Sequence, residues 1–163
     1  LMALRSGSKV HFAPFSAAHA GLLLNLPDGA QGADCGPGGG YPNNRATFRI
    51  NDEGELLLNS VGLIQQRFYT DRSGMGQGIL QYNNGTSLPR NAETKGWKID
   101  KAGNLNFADT DGFTVCPNGV DGSWNVWIPT GNAHPGNTNV NCTSVHARTV
   151  EVENPPSCLY TTS

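Results

Sequence analysis

A chain of 163 residues with 37% hydrophobic content is long enough for one domain with its own core. Charged residues make up 15%, against a usual quarter, and the formal net charge is −2, so nothing marks a nucleic acid or an anionic membrane surface as a partner. The 21 glycines and 10 prolines suit many short strands joined by tight turns better than long helices, and the fold expected is all-β. In chain order, Leu1 to Leu26 holds two apolar arms, Val10-His11-Phe12 and Gly21 to Leu26, around a connector of small residues. Residues 27–45 read as a loop whose glycine run, Gly36 to Gly40 interrupted by Pro37, lacks the Lys-Ser/Thr and the helix of a phosphate-binding loop.

A motif follows that occurs twice. Phe48-Arg49-Ile50-Asn51-Asp52-Glu53-Gly54-Glu55-Leu56-Leu57-Leu58 matches Trp97-Lys98-Ile99-Asp100-Lys101-Ala102-Gly103-Asn104-Leu105-Asn106-Phe107 position for position. It reads as a β-hairpin. Alternation sends the aromatic and the Ile to one face and the Leu or Phe of the second arm to one face, both assigned to the core. Asn51 or Asp100 opens the turn through a side-chain acceptor, and Gly54 or Gly103 supplies the positive φ that closes it. Gly21-Leu22-Leu23-Leu24 could be a degenerate third copy, although 33 and 49 residues separate the glycines at 21, 54 and 103.

Between and after the copies, Val61 to Tyr69 and Ser73 to Tyr82 read as strands, the latter with glycines that permit a bulge or a close backbone approach. Ser87 to Gly96 reads as a polar linker, and Asp109-Thr110-Asp111-Gly112 as a turn, since the remaining ligands of a calcium loop are out of register. Phe113 to Cys116 and Trp124 to Ile128 are two further strands. In the second, Trp124, Val126 and Ile128 share a face and Trp127 points the other way, towards solvent. The tail from Pro129 to Ser163 carries one strand, Ser144 to Val152.

Cys35, Cys116, Cys142 and Cys158 are even in number, far apart and without neighbouring His at metal-ligand spacing, so two disulfides and an oxidising compartment are expected, with no metal. Four cysteines permit three pairings. Asn84-Gly85-Thr86 and Asn141-Cys142-Thr143 are N-glycosylation sequons, which agrees with secretion. No apolar run approaches the roughly 20 residues needed to cross a bilayer, so no membrane insertion is expected. The opening residues lack a signal peptide's apolar core, as expected of the mature form of a secreted chain.

No catalytic constellation emerges: His11, His19, His134 and His146 are each isolated, and most carboxylates fall at turns. Neither catalysis nor a cofactor is expected. Sugars are held by aromatic faces with amide side chains reading the hydroxyls, which makes Trp127, Tyr41, Tyr69 and Tyr82 the candidate glycan-binding residues, while Trp97 and Trp124 fall on core faces.

Met2-Ala3-Leu4-Arg5-Ser6-Gly7-Ser8 followed by Val10-His11-Phe12 resembles the mature N-terminus of the phiA-type cell-wall proteins of filamentous fungi. Phe113 to Gly119 with the aromatic strand after it is similar to the C-terminal domain of fungal wall proteins with internal repeats. The resemblance implies a secreted, disulfide-bonded, glycosylated fungal surface protein without a catalytic residue set, which a plant could recognise as an elicitor. It implies a Cys116–Cys142 bridge, and Cys35–Cys158 would then tie the glycine loop to the tail. The expectation is one all-β domain over residues 1–163, a barrel or sandwich of hairpins with a β-trefoil as the alternative. It would act by contact with wall polysaccharide or a plant surface component, a lectin-like module being the second reading and a polysaccharide hydrolase the third.

Overall fold

A computed structural model describes residues 1–37, 44–60 and 62–163 of the chain. Among these residues, twelve strands fall into three units of four. The first holds β1 (Met2–Leu4), β2 (Ser16–Ala18), β3 (Gly21–Leu24) and β4 (Phe48–Ile50). The second holds β5 (Leu56–Leu58), β6 (Arg67–Asp71), β7 (Ile79–Asn83) and β8 (Trp97–Ile99). The third holds β9 (Asn104–Phe107), β10 (Phe113–Cys116), β11 (Trp124–Trp127) and β12 (Thr143–Arg148), with a turn of 3-10 helix at Val120–Gly122. Among the described residues no helix is long and apolar enough to cross a membrane.

The pairing repeats three times, and always antiparallel. Units join through the hairpins β4–β5 and β8–β9, and the third such pair is β12–β1, made by the two ends of the chain. Within each unit the middle strands form a hairpin: β2–β3, β6–β7 and β10–β11. The inner strands of those three hairpins then pair with one another in a triangle, Gly21 with Gln81, Ile79 with Trp127 and Trp124 with Leu24. This is a barrel of outer strands capped at one end by a strand triangle, the connectivity of a β-trefoil. The barrel is nearly closed: β12 pairs with β9, and Glu55 bridges to Lys95 while the Gly54 carbonyl accepts from Gly96 and Trp97, but no ladder joins β1 to β4 among the described residues.

The repeated motif thus builds two of the three barrel hairpins. Its turns form as the sequence dictates: Asn51 Oδ1 accepts from the amides of Glu53 and Glu55, and Asp100 Oδ1 from those of Ala102 and Asn104. Gly54 and Gly103 sit at φ +78° and +86°. The third copy is not where the sequence suggested it. Gly21–Leu24 is a cap strand, and the true counterpart, β12–β1, is split between the termini and has no turn to read. Nor is Ser87 to Gly96 a free linker, since Glu93 and Lys95 bridge to Thr70 and Glu55. At Gly78, φ is +92° and an added Cβ would lie 2.2 Å from the Ile128 carbonyl oxygen, so the close approach of β7 to the end of β11 requires glycine.

One core cluster runs from Ala3 to Tyr160. Trp97 packs between Phe107 and Phe113 at centroid distances of 5.0 and 6.2 Å, and Phe68 meets Tyr82 edge-on at 5.2 Å. Val126 and Ile128 are buried with Trp124 packed beside them, as the alternation predicts. Ile99 departs from it: the motif assigns it to the core, yet it is 54% exposed, because β8 ends at the uncapped end of the barrel.

The tail packs onto the barrel, with Cys158 and Tyr160 buried in the core cluster. Asn59 Nδ2 donates to the carbonyls of Pro155 and Pro156, Tyr160 exchanges hydrogen bonds with the Gln66 side chain, and Thr161 accepts from the Ala20 amide and the Tyr82 hydroxyl. Cys158 is bonded to Cys35 and Cys116 to Cys142, the two bridges anticipated.

Candidate carbohydrate-recognition face

The cap triangle has an inner and an outer side, and alternation decides which residues reach each. On β6 and β7, Phe68, Thr70, Leu80 and Tyr82 are buried, while Arg67, Tyr69, Ile79 and Gln81 face outward and are partly exposed. On β11, Val126 is buried and Asn125 and Trp127 face out. Because Ile79 pairs with Trp127 and Gln81 with Tyr69, the outward residues of three strands come together.

Of these, Ile79, Gln81, Asn125 and Trp127 border, with His19 and Gly21, a cleft of about 300 Å³. No Lys, Arg, Asp or Glu lines it among the described residues. Tyr69 donates its hydroxyl to Gln81 Oε1 at 3.0 Å, which orients the amide and leaves the Gln81 nitrogen as a donor. Partial burial pushes the Tyr69 hydroxyl up from its ordinary value, so it stays protonated in this role. His19, exposed at the β2–β3 turn, has its Nδ1 3.0 Å from the Ser163 carbonyl.

The predicted residues divide. Trp127 and Tyr69 lie on this face. Trp127, expected in the open, is half-buried: the following loop brings Gly136 against its ring edge, where an added Cβ would be 3.2 Å from Cη2. That loop is pinned by Gln77 Oε1, which accepts from Asn132 Nδ2 and the Gly136 amide. Tyr82 lies on the other side of the cap, 1% exposed, with its hydroxyl on Thr161, so it offers no ring face for stacking. Burial raises its hydroxyl well above the ordinary tyrosine value. Tyr41 lies outside the described residues. Gln81, Asn125 and His19 were not singled out from the sequence; alternation would have marked Gln81 and Asn125 as outward, but nothing local brings β7 and β11 together.

Asn84 and Asn141, the two sequon asparagines, are both exposed. Asn84 accepts from Gln66 Nε2 through Oδ1, leaving the nitrogen that would carry a glycan uncommitted. A second concavity holds two carboxylates, Glu93 and Asp109, but both bond to Arg72 at 2.7 to 3.0 Å, and Arg72 also lies over the Phe107 ring. The Arg72 hydrogen bond pulls the Asp109 carboxyl down, the opposite of what a glycosidase's general acid needs. Among the described residues, no three His, Cys, Asp or Glu side chains are placed to hold a metal ion.

The family of PhiA-like secreted proteins matches residues 1–161. The chain is 40% identical to the cell wall protein phiA of Aspergillus fumigatus over 163 residues, 99% of this chain and 83% of that protein. It is 40% identical to the protein of the same name from Emericella nidulans over 98% of this chain and 84% of that one. The counterpart from Arthroderma benhamiae is 35% identical over 96% and 84%. No solved structure matches. With the family matched over residues 1–161 and relatives 40% identical over almost the whole sequence, the chain belongs to the PhiA-like secreted protein family.

Proposed function

We propose that this chain is a single-domain, non-catalytic protein of the fungal cell wall that holds neutral wall polysaccharide at the outer face of the cap. The observation that carries the reading is the cap cleft itself: an indole wall and two amide side chains, with no Lys, Arg, Asp or Glu among the described residues that line it. Uncharged sugars are bound by this combination, in which an aromatic face takes the apolar side of a pyranose and amides read its hydroxyls. The curated relatives bear the name of cell wall proteins, which supports residence in the wall. A phosphorylated or sulfated ligand would find no fixed cation in the cleft.

The test is retention of the purified protein on insoluble chitin and β-glucan, compared with Trp127→Ala and Gln81→Ala. Retention of the parent on one of these polymers, lowered about tenfold by Trp127→Ala, is the expected result, the loss of one stacking face being on the order of 1.4 kcal/mol. Failure of the parent to bind any wall polysaccharide would end the proposal. Infiltrating the same preparations into leaves, with reduced and heat-denatured controls, tests recognition by a plant as an elicitor. A response that survives Trp127→Ala would separate elicitation from glycan binding.

A further inference from the structure

We propose that Asn84 carries an N-linked glycan that shields Leu63 and Ile64, while Asn141 stays bare behind its disulfide. The two sequons are alike in the sequence and differ in the fold. Asn84, Gly85 and Thr86 follow the last residue of β7, belong to no strand and are all exposed. Asn141 is exposed as well, but Cys142 is bonded to Cys116, and Thr143 opens β12, half-buried and paired with Val115 of β10. The acceptor signal is the asparagine together with the hydroxyl two residues on, presented on an open surface loop. The first sequon meets that requirement before and after folding. The second meets it only until the bridge forms and β10 pairs with β12.

The fold also prepares the Asn84 amide. Gln66 is 0% exposed, and the Tyr160 backbone fixes which end of its amide is which: the Tyr160 N–H donates to Oε1 at 2.9 Å and Nε2 donates to the Tyr160 carbonyl at 2.8 Å. The remaining Gln66 N–H goes to Asn84 Oδ1 at 2.8 Å, so Asn84 turns its oxygen to the buried amide and keeps Nδ2 free. Transfer from a lipid-diphosphate-linked oligosaccharide uses that nitrogen. Nδ2 attacks the anomeric carbon and forms the C–N bond, the C–O bond to the diphosphate breaks, the lipid diphosphate leaves with the electron pair, and Nδ2 gives up one proton. Oδ1 still accepts from Gln66 afterwards, so the modification costs the fold no hydrogen bond.

Arg67 pairs with Asn83, which sets the segment entering β6 beside the turn leaving β7. A Cβ on Gly85 would lie 3.9 Å from the Gln65 carbonyl oxygen. Just before Gln65 stand Leu63, fully exposed, and Ile64, 41% exposed, two large apolar side chains in succession. A glycan is bulky and solubilising, and on Asn84 it stands beside them.

Glycopeptide mapping by mass spectrometry, on protein secreted by and retained in a fungal host, tests the site. A glycan on the Asn84 peptide and none on the Asn141 peptide is expected. Thr86→Ala destroys the sequon but keeps Asn84 and its Gln66 contact, and should remove all N-glycan. Cys116→Ser leaves the second sequon unaltered and should raise Asn141 occupancy at least tenfold. An unmodified Asn84 overturns the site; Asn141 glycosylated in the parent, or bare in Cys116→Ser, overturns the control by the bridge. On a hydrophobic-interaction column Thr86→Ala should elute later than the parent, and adding Leu63→Ser and Ile64→Ser should reverse the shift. No shift, or one that persists in the combined variant, overturns the shield. None of these residues lines the cap cleft, so this proposal and the polysaccharide reading stand or fall separately.

Discussion

The two ends of the barrel are built from the same three units and finish differently. At the cap end, β3, β7 and β11 pair with one another over the axis, so backbone hydrogen bonds close the barrel and every second side chain is released to the outside. Those released positions can be polar, and Gln81, Asn125 and Trp127 occupy them. At the mouth end the hairpins turn back before reaching the axis. Closure there would have to come from side chains, and Ile99 and Val150 at the opening stay 54% and 60% exposed. Backbone closure therefore yields a face carrying the Gln81 and Asn125 amides beside Trp127, and its absence leaves a recess with Leu56 and Leu105 at its floor and Ile99 and Val150 exposed at its lip.

The tail joins these ends. It leaves the mouth near Pro155, is bonded at Cys158 and finishes against Ala20 and Tyr82 beside the cap. Cutting that strap should have the largest effect. The Cys35–Cys158 bridge closes 123 residues and Cys116–Cys142 only 26. By chain entropy the two are worth about 5 and about 3.5 kcal/mol. For a chain of this size, Cys35→Ser with Cys158→Ser should lower the melting temperature by about 10–20 °C, and the other pair by less. Scanning calorimetry checks the order; a smaller drop for the long bridge would mean that the tail's hydrogen bonds hold the two ends together unaided.

Trp97 and Trp127 test the division into inside and outside. Trp97 is 3% exposed and packed by Phe107 and Phe113 deep in the barrel, so Trp97→Ala should cost about 3–5 kcal/mol in chemical denaturation. Trp127→Ala, on the cap's outer face, should cost about 1–2 kcal/mol, the loss of a half-buried ring rather than a core one. Equal costs would show that the cap's outer face is core in energetic terms and would weaken its assignment to recognition.

What the sequence made readable was local. The two hairpin turns and the opposite directions of Val126 and Trp127 follow from residues within a few positions of one another. What it hid was long-range. The β12–β1 hairpin is assembled from opposite ends of the chain. Tyr82 looked like a candidate for stacking because it follows Gln81, yet one step of alternation places it against Phe68 in the core. Ile99 occupies the same motif position as Ile50 and borders the same mouth, yet it is 54% exposed where Ile50 is partly buried. Likewise the cleft depends on β7 meeting β11, which lie 41 residues apart from the end of one to the start of the other, a pairing no local pattern encodes.

The smallest expected effect distinguishes the two mouth hairpins from each other. In β4–β5 the turn amide is Asn51 and the carboxylate is Glu55, bonded to Asn51 Nδ2 and to Arg67 at 2.9 Å. In β8–β9 the roles are exchanged: Asp100 opens the turn and receives Asn106 Nδ2, and Asn104 stands where Glu55 does. Burial alone would push the Glu55 carboxyl up, but hydrogen bonds from Asn51 and Thr94, with the charge and hydrogen bond of Arg67, hold it below its ordinary value. A carboxyl lowered on folding contributes its stability above the unfolded pKa, near 4.3, and loses it as pH falls through the lower folded value. Glu55→Gln should therefore cost about 1 kcal/mol at pH 7. The deficit should shrink as pH drops below about 4.3 and vanish once Glu55 is protonated in both states. Denaturation curves for the parent and Glu55→Gln from pH 7 down to pH 3 measure it, and a deficit that stays constant across that range would assign the loss to packing around the side chain instead of its charge.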